Sequence, residues 1–206
     1  MDTYHVVLYL HLLSLLAGIS TAVVLSVCLF RLRSAQTLAD AVPWGMLAGQ
    51  TERVFPLVGL SLFGTGAYMT SDVWSWSSGW IVAGIAGLVL MDLQGALVGG
   101  RRGKALEHAL HENGPGPLGK QPRRLARDRS LWVVTFANIG LALAIVWNMT
   151  EKPDLGVAIA ALVAGYAAGV LFALPFTGPA LARLGAAGWT RRLLAERRDP
   201  LPPEGP

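Results

Sequence analysis

Charge is scarce in this sequence. Asp, Glu, Lys and Arg make up 15% of its 206 residues, against about 25% in an ordinary soluble domain, and they lie in a few blocks. Cysteine occurs once, at Cys28, so the chain closes no intrachain disulfide. The glycines form no phosphate-cradling loop, no HExxH run offers a zinc site, and no nucleophile–base signature is present. No enzyme class is indicated. Neither a second domain nor an internal repeat is visible.

What is present is apolar. Hydrophobic residues account for 53% of the chain and glycine for 24 positions, with a mean hydropathy of +0.48. A helix needs about 20 mostly apolar residues to cross a ~30 Å hydrocarbon layer. Five stretches meet that need, at residues 6–30, 54–70, 79–99, 131–149 and 155–176. We therefore expect an all-α integral membrane bundle of five spans in one domain, residues 1–177, and a tail over 178–206. The second span is the shortest and could begin before Glu52, with Glu52 and Arg53 at the headgroups. The first resembles a signal peptide in its small residues GISTA. Its start, MDTYH, carries no Lys or Arg, and its apolar run continues to Phe30, too long for a cleaved segment.

The 17 basic residues alternate between connections. Arg31, Arg33 and Arg53 follow the first span, and none follows the second. Eight follow the third (Arg101, Arg102, Lys104, Lys120, Arg123, Arg124, Arg127, Arg129), Lys152 alone follows the fourth, and five lie in the tail. The positive-inside rule then places the N-terminus outside and the C-terminus in the cytoplasm. Trp74, Trp76, Trp80 and Trp147 fall at the outer ends and Trp44, Trp132 and Trp189 at the inner ones, as interfacial belts require. The pI of 9.6 thus reflects topology and attraction to an anionic inner leaflet, with no nucleic-acid partner needed. In the basic loop 101–129, RRGKALEHALHE continues in helical style and NGPGPLGKQP breaks it. The tail sets Leu181, Leu184, Trp189, Leu193 and Leu194 among arginines. That pattern suits an amphipathic helix on the inner leaflet, or one that binds a partner protein.

Asp92 is the conspicuous polar residue. It lies nine residues before Arg101, about 13 Å at 1.5 Å per residue, hence near the midplane. Asn138, Tyr166, Ser61 and Thr21 reach about the same depth. Gly95, Ala96 and Gly99 share the face of Asp92, which directs the carboxylate into the bundle, whereas Gln94 lies about 200° around the helix. Small residues mark close helix contacts. Ser14, Gly18, Ala22 and Ser26 form one ladder, and Ala161, Gly165, Gly169 and Ala173 another. Two readings of the Asp92-centred polar cluster are open. One is interhelical hydrogen bonding at ~0.6 kcal/mol per bond; the other is a proton or substrate step within the membrane.

His11 lies twenty residues before Arg31, about 30 Å by the same rise, which puts it near the outer surface. There it has Met69, Met149, Asn148, Asp72 and His5 as candidate neighbours. Imidazole with thioether suits Cu(I), and one His with one Met suits haem b iron; the alternative is an interfacial His bonded to backbone or lipid. His108 and His111, beside Glu107 and Glu112, have the spacing of a metal pair and equally that of a solvated helix face.

The stretches LHLLSLLAGIS, GLSLFGTGAYMT and GWIVAGIAGLVLMD, within residues 4–100, resemble a group of bacterial membrane proteins whose short bundle opens on a His-bearing span. The group includes the copper-resistance CopD family, the HemJ-type protoporphyrinogen oxidases and families known only as predicted integral membrane proteins. The resemblance implies a multi-pass protein of a bacterial plasma membrane, and by analogy with the HemJ type it makes His11 a haem-binding candidate. Asp92 stands where HemJ-type proteins carry a basic residue, and Ala17-Gly18 where CopD-like sequences carry tryptophan and paired glycines. The families without assigned activity are thus the most similar. The leading expectation is a small transporter or membrane-complex component using the Asp92 cluster. The alternatives are a haem- or copper-binding redox protein using His11, and a structural or assembly subunit, as a homo-oligomer or with other membrane subunits.

Overall fold

The computed structural model describes residues 2–177, so the expected amphipathic tail helix lies outside the described residues. The described chain is helical. In order it forms α1 (Thr3–Ser34), α2 (Leu38–Glu52), α3 (Phe55–Val73), α4 (Gly79–Gln94), a π-helical turn (Gly95–Gly99), α5 (Gly100–Glu112), α6 (Lys120–Ala126), α7 (Arg129–Glu151) and α8 (Leu155–Thr177). Among the described residues there is no strand, only an isolated bridge between Thr37 and Pro117. These helices align into five rods long and apolar enough to cross a membrane: Thr3–Ser34, Leu38–Val73, Gly79–Glu112, Lys120–Glu151 and Leu155–Thr177.

Four of the rods run past the expected spans. Most of the connection after the first span is helix α2, not loop. Its start is set by a reciprocal cap: the Thr37 hydroxyl accepts the Asp40 N–H, and the Asp40 carboxylate accepts the Thr37 N–H, each at 3.2 Å. Such a box satisfies two helix-end donors at once. Pro43 removes one internal bond from α2, and the helix breaks at Arg53–Val54 before Pro56 opens α3. Thr37→Ala should lower stability by about 1 kcal/mol, read as a lower melting temperature in detergent. An unchanged melt would show that the cap is dispensable.

The rods group unevenly. α1 packs along α2 and α3, while α4, α7 and α8 form a second set; α3 and α4 meet only sparingly. Asp128 caps α7 by accepting the Ser130 N–H at 2.8 Å, and Lys152, in left-handed backbone at φ +52°, ends it. The turn sends α8 back along α7. There the glycines bring backbone against backbone: a Cβ on Gly140 would stand 2.0 Å from the Gly165 carbonyl oxygen.

At the arginine-rich end, Leu32, Ala35, Ala41, Leu106, Leu110, Leu118 and Ala126 form an apolar core from α1, α2, α5, α6 and the connection before α6. Beside it Trp132, fully buried, lies among Phe30, Phe136 and Phe176. The Arg33 guanidinium is 5.4 Å from its ring centre. At the other end, Trp74 meets Trp80 edge-on and lies 4.3 Å from the Lys152 ammonium. Much of the rods' outer surface is bare apolar side chain; Leu57 and Leu60 are 68% and 70% exposed. Lipid is the solvent that such a surface fits.

Candidate functional site

Asp92 occupies the last turn of α4, immediately before the π-helical turn. Its carboxylate rests on Gly59 of α3, where a Cβ would stand 3.0 Å from Oδ2 and 3.1 Å from Oδ1. Glycine at 59 therefore makes the room that Asp92 fills. Among the described residues Asp92 has no hydrogen-bond or ion-pair partner, and its other side is exposed. This corrects the expectation that it points into the bundle: it lies in the narrow seam between α3 and α4.

A second carboxylate uses the same seam. Glu52, the last residue of α2, reaches across to Gly103 of α5, where a Cβ would stand 2.7 Å from Oε2, and toward Gly99 at 4.0 Å from Oε1. It too lacks a partner among the described residues. Gly59 follows Glu52 by seven residues, and Gly99 follows Asp92 by seven. Each rod thus offers one acid and, two to three turns on, a glycine that receives the other rod's acid: Gly59 for Asp92, Gly103 for Glu52. The π-helical turn, a form that recurs at functional sites, lies between the two contacts. The sequence reading left Glu52 at the headgroups and missed this role. The signal was a glycine at helical spacing, seven or eleven residues, after each acid, which becomes visible once α2 is known to run in line with α3.

The remaining cluster residues are not gathered around Asp92, and among the described residues no hydrogen bond joins any two of the five. Ser61 pairs with Ser14 at 2.6 Å. Thr21 donates to the Ala17 carbonyl on its own helix at 2.7 Å. Asn138 donates from Nδ2 to the Met91 carbonyl at 3.4 Å, leaving a buried Oδ1 without a partner. Tyr166 donates to Gln94 at 3.4 Å. Gln94 and Asp92 do face different neighbours, as their spacing requires, so α4 splits the expected cluster between α3 and the α7–α8 pair.

His11 is buried, and its Nδ1 lies 2.8 Å from the Thr65 hydroxyl. That hydroxyl donates to the Ser61 carbonyl at 2.6 Å, which leaves its oxygen free to accept an Nδ1–H. Gly66 leaves space for the ring, its virtual Cβ lying 3.6 Å from Cε1. His11 therefore pins α1 to α3. Met149 packs instead into the α4–α7–α8 core, so the pairing of His11 with Met149 for haem or copper is not formed. Asn148, fully buried, donates to the Ala158 carbonyl at 3.1 Å. His5 lies near Asp2, and His108 contacts Glu112 at 3.3 Å, both pairs exposed; His111 is exposed as well. Among the described residues no three His, Cys, Asp or Glu side chains are placed to hold a metal ion.

Chemically, the seam offers two carboxylates with no paired basic side chain among the described residues, and Glu107 is a further acid near Glu52. Their charge can be met by a proton or a small cation. No family model, curated protein or solved structure matches the chain.

Proposed function

We propose that the chain is a small multi-pass transporter that carries protons through the α3–α4 seam. In this reading its N-terminus is outside and its arginine-rich end is in the cytoplasm, the orientation that the loop charges favour. One observation carries the reading: the Asp92 carboxylate, about 13 Å from the level of Arg101, is seated on Gly59 without a cationic partner. An ionisable group held at such depth is costly, and ion pathways are the usual reason for keeping one. Glu52, about 10 Å further along the same seam, supplies a second proton acceptor toward the arginine-rich end.

The test is proton flux into liposomes loaded with a pH-sensitive dye, driven by an imposed potential. Wild-type protein should acidify the lumen, Asp92→Asn should abolish the flux, and Asp92→Glu should retain part of it. Flux in Asp92→Asn at the wild-type rate, or none from folded wild-type protein, refutes the reading.

A further inference from the structure

We propose that the cleft between the π-helical turn, α5 and the start of α7 seats the phosphate head group of an anionic phospholipid in the leaflet at the arginine-rich end. The inference needs the rods to cross a bilayer; it does not depend on proton transport.

The cleft is open, has a volume of about 420 Å³, and is lined by Leu97, Val98, Arg101, Arg102, Ala105 and Ser130. Its chemistry is graded along the rod. Leu97 and Val98, from the π-helical turn, make an apolar wall, and the two arginines follow directly. Arg101 is nine residues past Asp92, about half the thickness of a ~30 Å core, so it lies at headgroup level when Asp92 lies at the midplane. A free anion has no use for the apolar wall, whereas a phospholipid sets an acyl chain against it and a phosphate against the arginines. Basic pockets at the ends of membrane helices take lipid head groups by this combination.

The two arginines are differently employed. Arg102 contacts Asp128 at 3.1 Å, and Asp128 is already occupied by the Ser130 N–H and hydroxyl. That arrangement fixes one wall of the cleft and commits the acid to Arg102 and Ser130. Arg101 is exposed and has no ion-pair or hydrogen-bond partner among the described residues. A guanidinium held over a cleft and unpaired is suited to a phosphate oxygen.

The experiment is native mass spectrometry of the full chain, released from detergent micelles containing phosphatidylglycerol or phosphatidylcholine. Wild-type protein should retain one phosphatidylglycerol in preference to phosphatidylcholine. Arg101→Gln should weaken that retention about tenfold, the effect of one charge-assisted hydrogen bond, with Arg101→Lys intermediate. Arg124→Gln, an exposed change on α6, should leave it intact. Equal retention by wild type and Arg101→Gln overturns the proposal. So does equal loss from Arg101→Gln and Arg124→Gln, which reports only surface charge. Displacement of the lipid by inorganic phosphate at matched concentration also overturns it, since the site then belongs to a soluble anion.

Discussion

Gly140→Leu unseats α8 from α7 and lowers stability by at least about 3 kcal/mol. Overpacking a core commonly costs 1–3 kcal/mol because flexible side chains give way, but here the obstacle is backbone. The new Cβ would lie 2.0 Å from the Gly165 oxygen and 3.3 Å from the Gly169 nitrogen. In return, a Cβ on Gly165 or Gly169 would lie 2.5 Å from the Gly140 oxygen or 2.2 Å from that of Phe136. Neither helix can yield by a side-chain rotation, so the pair must separate along its length. Lipid adds little hydrophobic drive to hold it together. A fall of at least about 6 °C in melting temperature is expected on the scale of domains this size. Gly64, with open space around its virtual Cβ, provides the control: Gly64→Leu should melt with the wild type. If both variants melt alike, close backbone packing is not what joins α7 to α8.

Trp132→Ala should cost about 3 kcal/mol, the low end for emptying a buried aromatic site. The low end applies because lipid, unlike water, also accommodates the ring in the unfolded reference state. Trp132 is fully buried with Phe30 at 4.8 Å, Phe176 at 5.5 Å and Phe136 at 6.2 Å between ring centres. Its indole N–H donates to the Ala126 carbonyl at 3.4 Å, and Arg33 lies over its face. Alanine empties the point where α1, α7 and α8 meet and removes the tie to α6. Trp132→Phe, which refills part of the volume but drops the N–H, should recover roughly half the loss. Equal melting of Trp132→Ala and wild type would show that the aromatic cluster is not a stabilising core.

These effects also show what could be read from the residues alone. The five rods were legible because an unbroken apolar run of span length has few other uses. Helix α2 was not, since Pro43, Gly45, Gly49 and the polar Asp40 and Gln50 obscure its pattern, although Thr37 and Asp40 already displayed the cap. For Asn138 and Tyr166, level relative to Asp92 was legible and azimuth was not. Asn138 reaches Met91, next to Asp92; Tyr166 reaches Gln94, two residues on; and the Gly59 seat is two residues from Ser61. Counting residues along a rod gives relative level. Azimuth depends on which helix stands beside which, and the ladder of small residues in α1 does not name its neighbour. Gly59 and Gly103 were invisible as seats for the same reason: a glycine's role here is defined by the acid opposite it.

The free edge of Asp92 has a consequence for traffic. Trp74 ties the end of α3 to Trp80 and Lys152, and the opposite end is closed by the Leu32–Leu110 core. Between these fastenings the acid's free edge is exposed at the side of the rods. In the proposed reading, a proton then reaches the acid from the flank of the seam, and neither fastened end has to open for it.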